Sequence, residues 1–149
     1  MSSSIYFRRV FETGPGLFLL LDTTLHIVAA SYAYLRATLT QREAILGRYV
    51  FDVFPDNPDD PGTLGVSTVK ASMERAIQTK RPDTLPVQKY DVPRPESEGG
   101  GFAVRYWSQV NSTILGPNGE VLYLLHRVEE VSDFVKAMQP QAPAANLEV

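Results

Sequence analysis

Residues 101–133 read GFAVRYWSQVNSTILGPNGEVLYLLHRVEEVSD, and this stretch decides the fold. Phe102, Val104, Tyr106, Val110 and Ile114 alternate with Arg105, Gln109, Asn111 and Thr113, the two-residue period of a strand that buries one face. Gly116-Pro117-Asn118-Gly119 is a turn sequence, and residues 121–131 beyond it are again apolar and β-favouring. Two such runs joined by a tight turn predict an antiparallel hairpin. DTLPVQKYDVPRP, residues 83–95, supplies a further strand before the connection 96–101. The glycines Gly99 to Gly101 precede no Lys-Ser/Thr pair and open no helix, so they read as an inter-strand loop rather than a phosphate cradle.

Outward from this sheet the pattern changes. GLFLLLDTTLHIVAAS, residues 16–31, places two apolar runs around Asp22-Thr23-Thr24, a second hairpin. From Ser31 the chain holds helix formers; Thr40 and Glu43 have capping-box spacing, and Gly47 is a helix stop, so short helices are expected. After the Pro/Asp loop 56–62, Leu64, Val69, Met73, Ala76 and Ile77 recur at helical spacing over residues 63–79, the one long helix. A short amphipathic helix is expected over residues 4–12, with Ile5, Phe7, Val10 and Phe11 on it, and an exit helix over residues 131–138. The segments are therefore an N-terminal helix (1–13), one domain (14–134), and the end of the exit helix with a disordered Pro/Ala tail (135–149).

Composition narrows the function. At 149 residues, 44% hydrophobic and 21% charged, the chain can bury one core and should fold. A net charge of -3 with no Lys/Arg cluster offers no footprint for nucleic acid or an anionic membrane. The absence of cysteine removes disulfides, thiolate nucleophiles and cysteinyl adducts. The longest apolar run, Leu17 to Leu21, is far short of the roughly 20 residues that span a bilayer, so a soluble, cytoplasmic domain is expected. His26 and His126 have no metal-ligand spacing and read as structural or hydrogen-bonding residues. Asp56, Asp59 and Asp60 lack the spacing of a calcium loop and read as caps for the long helix; no metal site is expected. No nucleophile elbow or carboxylate pair is present, so no enzymatic activity is expected.

The element order resembles the PAS family. The residues that carry the likeness are LDTTLHIVAASYAYLRATLTQREAILGRYVFDVFPDNPDDP, VQKYDVPRP and GGGFAVRYWSQVNSTILGPNGEVLYLLHRVEEVSDF. The resemblance implies an α+β PAS fold: a five-stranded antiparallel sheet, short helices and one long helix on one face, and the flanking N-terminal helix. It is similar in particular to the input domains of bacterial sensor histidine kinases and other signalling proteins, and implies a small organic ligand held between sheet and helices. The ligand-binding set is then Tyr34, Tyr49, Phe54, Val69, Met73, Tyr90, Tyr106, Trp107, Asn111 and His126. The aromatic residues among them are more often core than a ligand box, and Tyr90 and Asn111 read also as a solvated strand face.

Glu130, Ser132 and Asp133, with Val131 between them, match the signature with which many PAS domains couple the last strand to an effector. Ser132 is expected to cap the exit helix and Glu130 to fix its direction. No cofactor is certain. Haem-binding relatives carry a histidine on the long helix and photoreactive flavin-binding ones a cysteine, both missing here, whereas non-covalent flavin stays open. The alternative function is a module that binds no ligand and works by homodimerisation or protein contact, with Ile5, Phe7, Val10 and Phe11 at the dimer contact.

Overall fold

The computed structural model describes residues 3–139, with side chains from residue 6 onward. The expected disordered tail falls on residues 140–149, outside the described ones, and so does the side chain of Ile5. Helix α1 (Ser3–Thr13) leads into strands β1 (Leu17–Leu21) and β2 (Ile27–Ala30), then α2 (Tyr32–Thr38), α3 (Arg42–Ile45), α4 (Val50–Val53) and the long α5 (Gly65–Thr79). The chain continues through β3 (Asp83–Lys89), β4 (Val92–Pro93), β5 (Phe102–Ala103), β6 (Tyr106–Leu115), β7 (Val121–Glu130) and the exit helix α6 (Ser132–Met138). The sheet has five strands in the order β2-β1-β7-β6-β3, every neighbouring pair antiparallel. This is the α+β arrangement expected, with β4 and β5 forming a separate small ladder.

Local chemistry explains the turns. Asp22 Oδ1 accepts the backbone N–H groups of Thr24 and His26, both at 2.9 Å, which closes the β1–β2 turn and holds Leu25 at a left-handed φ of 67°. That conformation is costly for a branched side chain; Leu25 is 5% exposed, and its burial offsets the cost. Between β6 and β7 the Gly119 N–H donates to the Gly116 carbonyl, and Gly119 takes φ 80°, the left-handed position such a turn requires.

Helix α2 is capped by Ser31, whose buried hydroxyl oxygen accepts the N–H groups of Tyr34 and Phe18 and donates to the Gly16 carbonyl. One hydroxyl thus ties the helix start to β1. The capping box expected of Thr40 and Glu43 does not form. The Thr40 hydroxyl is engaged with Thr38 at 2.9 Å, and α3 starts from Gln41 without a side-chain cap. Gly47 does take the left-handed φ of 82° that a helix stop demands. Helix α5 begins at Gly65, two residues later than expected, because Asp56 Oδ1 accepts the Val66 N–H from ten residues upstream. Leu64 lies outside the helix and is 68% exposed. Val69, Ser72, Met73 and Ala76 form the buried stripe of α5.

The alternation read in β6 has the right period and the opposite face. Trp107, Gln109 and Asn111 point inward, at most 5% exposed, whereas Val104 and Ile114 are exposed. The strand is interrupted where the Arg105 N–H turns to Asp91 Oδ1 and its carbonyl to the Tyr90 N–H, yet Ala103, 3% exposed, lies on the buried side with Trp107, so one phase runs through both segments. A slip of one residue reverses every side chain of a strand. Pro86, which cannot donate to the ladder, coincides with a bulge in β3 between Leu85 and Gln88.

Candidate functional site

The inner face of the sheet meets α2, α4 and α5 around a cavity of about 40 Å³. Trp107, Gln109, His126 and Val128 rise from β6 and β7; Val69 and Met73 come from α5, Tyr34 and Thr38 from α2, Val50 and Phe51 from α4, and Phe54, Tyr90 and Val92 complete the wall. The aromatic wall is fixed by its polar ends: the Trp107 indole N–H donates to the Tyr90 carbonyl at 2.8 Å, and the Tyr90 hydroxyl donates to the Phe54 carbonyl. Tyr34 meets the Phe54 ring edge-on at 6.0 Å. Burial raises both tyrosine phenols above their ordinary range, so both stay protonated.

A line of polar groups crosses the buried layer from the surface to this cavity. Arg75 Nε and Nη2 donate to the two oxygens of Asp83 at 3.1 and 3.0 Å, and the Ser72 hydroxyl donates to Asp83 Oδ2 at 2.6 Å. The Arg75 and Ser72 bonds hold the Asp83 carboxyl below its usual value, so it is ionised and can only accept. The Ser72 oxygen must therefore accept from Asn111 Nδ2, at 2.9 Å, which turns Asn111 Oδ1 toward His126 Nδ1 at 2.7 Å. His126 thus carries its proton on Nδ1, and Nε2 is an acceptor. Burial lowers the His126 pKa to about 4 and keeps the ring neutral.

Gln109 departs from this satisfaction, as Arg42 Nε and Gln88 Oε1 do away from the cavity. It is 3% exposed, lines the cavity, and its amide nitrogen has no hydrogen-bond partner. A buried donor left unpaired costs about 1–3 kcal/mol. Beside the cavity, Asp91 Oδ2 accepts from Lys89 Nζ at 2.7 Å and from Asn57 Nδ2 at 3.0 Å, while Lys89 also reaches Asp60 at 2.6 Å. These bonds fasten loop 54–64 to the sheet. Burial alone would raise the Asp91 pKa; Lys89, Asn57 and the Arg105 N–H hold it below the ordinary value instead. Among the described residues no group of three His, Cys, Asp or Glu side chains could hold a metal ion, and no helix is long and apolar enough to cross a membrane.

Tyr34, Phe54, Val69, Met73, Tyr90, Trp107 and His126 of the expected set line the cavity. Asn111 stands behind His126 and orients it. Tyr49 and Tyr106 are not brought to the cavity: Tyr49 stacks against His26 and Phe51, and Tyr106 points toward α6 with Ser132 and Lys136. Gln109 escaped the sequence reading, although its two-residue spacing from Trp107 and Asn111 places all three on one face.

At the exit, Ser132 does not act as the expected cap. The N-cap of α6 is Val131, without a side-chain bond; Ser132 Oγ instead accepts the Tyr106 N–H at 2.9 Å, and Glu130 Oε2 accepts the Ser132 N–H at 2.7 Å. The hydroxyl is drawn off to the neighbouring strand because Tyr106 begins β6 beside it. Asp133 lies in the first turn of α6. On α1, Phe11 packs against Phe18 at 6.0 Å, while Phe7 and Val10 are 73% and 68% exposed.

A part-open cavity between one face of a five-stranded antiparallel sheet and its crossing helices is the architecture of this site. The family comparison is specific: the PAS fold matches over residues 11–136, and the chain belongs to this family. No curated protein matches it in sequence. Among solved structures, a PAS domain from a Colwellia psychrerythraea protein is similar at TM-score 0.65 and 11% identity, covering 89% of this chain and 99% of that one. A PAS domain from a two-component sensor histidine kinase is similar at TM-score 0.57 and 13% identity, covering 87% and 99%. The light-oxygen-voltage protein of Rhodobacter sphaeroides is similar at TM-score 0.61 and 17% identity, covering 88% and 69%. At such identities the likeness shows the fold.

Proposed function

We propose that this PAS domain is a non-enzymatic sensor that binds a small organic molecule in the cavity and relays its occupancy through α6 to an effector such as a histidine kinase. The observation that carries the reading is Gln109: of the buried side-chain atoms without a partner among the described residues, its amide nitrogen alone belongs to a residue lining this cavity, which is what a site awaiting a hydrogen-bonding ligand presents. A cavity of about 40 Å³ has room for a few heavy atoms, well below the several hundred cubic ångströms of a site for a drug-sized ligand, so the reading favours a molecule much smaller than a flavin. Neither haem nor covalent flavin belongs to it.

The small cavity and the exposed Phe7 and Val10 also favour a second reading, a homodimerising module without a ligand. Native mass spectrometry of the purified chain, followed by organic extraction and mass analysis, separates the two. A co-purifying small molecule is expected; a bare dimer whose melting temperature responds to no metabolite in a broad screen would favour the module.

A further inference from the structure

The polar groups at the cavity do not all ask for the same partner. His126 offers an acceptor, because the relay from Asp83 through Ser72 and Asn111 places its proton on Nδ1. Gln109 offers a buried donor. In the β6–β7 register Asn111 faces His126 and Gln109 faces Val128, so Gln109 and His126 are diagonal neighbours on one face. Such positions lie about 7–8 Å apart or somewhat less. One small molecule can span them only if it carries an acceptor and a donor close together.

Charge and size limit the molecule further. No Asp, Glu, Lys or Arg lines the cavity, and the two tyrosines and His126 there are uncharged, so an ionised ligand would be buried without a counter-charge. We infer that the cavity selects small uncharged carboxamides and their urea or lactam analogues, the C=O accepting from Gln109 Nε2 and the N–H donating to His126 Nε2. This rests on the reading of the cavity as a ligand site. The surface pair Arg75–Asp83 becomes a distant determinant of that selectivity, since it sets the direction of every hydrogen bond down to the imidazole.

The test uses three probes on the full chain: acetamide, acetone, which matches it in size but lacks the donor, and xenon, which fills apolar space without hydrogen bonding. Two-dimensional 1H–15N spectra follow the cavity residues during titration. Acetamide should bind with a Kd about tenfold below that of acetone, the factor expected of one satisfied hydrogen bond; His126→Phe, which removes the acceptor that only acetamide uses, should abolish most of the difference, whereas Gln109→Leu, which removes the donor to the C=O of both, should weaken the two probes alike. Equal affinities for acetamide and acetone in the wild-type chain overturn the amide inference and leave the ligand reading standing. If none of the three perturbs the cavity residues, the ligand reading falls as well. The wild-type comparison decides the matter even if neither variant folds.

Discussion

The hydroxyl oxygen of Ser132 accepts the backbone N–H of Tyr106 at 2.9 Å, so the first residue of the exit helix is bonded to the start of β6 rather than to its own helix. A change at the sheet therefore has a direct connection to α6. Ser132→Ala should cost about 1 kcal/mol in urea denaturation and speed hydrogen exchange at the Tyr106 amide, while Ser132→Thr retains the acceptor. In fusions to the native effector, the alanine variant should lose the response to the stimulus; a response equal to that of the wild type would reduce the bond to a structural one.

The buried imidazole makes stability depend on pH. With the His126 pKa lowered from 6.5 to about 4, the unfolded chain takes up a proton between those values that the folded chain refuses. Stability is thus complete above 6.5 and falls as the pH drops to about 4, by about 3 kcal/mol at most, after which this group contributes no further change. Asp83 and Asp91, held below their usual carboxyl values, act in the same direction in a lower window. Urea titrations across the range should show the slope in the wild type and a flatter curve in His126→Gln; parallel curves would count against a neutral buried His126.

Asn111 is fully buried and links Ser72 to His126. Asn111→Leu should cost about 2 kcal/mol by leaving the His126 Nδ1–H unpaired. It should also change the imidazole tautomer, visible in long-range 1H–15N correlations as loss of the pure Nδ1–H pattern. A destabilised variant with an unchanged tautomer would break the proposed direction of the hydrogen-bond relay.

Asp91, with a side chain only 2% exposed, gathers Lys89, Asn57 and the Arg105 N–H. Asp91→Ala should destabilise the chain by about 2 kcal/mol and raise hydrogen exchange in residues 54–64, which lie over the cavity wall. Confinement of the exchange increase to some other segment would show that Asp91 does not fasten this loop.

The exposed Phe7 and Val10 on α1 belong to the homodimer reading. Light scattering should show the wild-type chain as a dimer and the Phe7→Glu/Val10→Glu double variant as a monomer, with the pocket signals in the 1H–15N spectrum unchanged. A variant that stays dimeric would move the contact away from α1.

Order, type and antiparallel pairing of the elements were legible in the sequence, because hydrophobic period and turn chemistry are local properties: Asp22 at its turn, Gly119 at φ 80°, Val69, Met73 and Ala76 at helical spacing. What local pattern could not supply was the phase of β6. Gln109 and Asn111 read as the wet side of a strand beside Val110 and Ile114; Asn111 lies inside because Ser72 and His126, 39 and 15 residues away, complete its hydrogen bonds there, and Gln109 follows on the same face. The same holds for Ser132, whose natural partner in sequence was its own helix and whose actual partner, Tyr106, is 26 residues away. Sequence alone determined which elements this chain makes. Tertiary structure decided which polar groups are buried: Asn111 is inside where distant residues supply its hydrogen bonds, and Gln109 is inside at the cavity with its amide nitrogen unpaired.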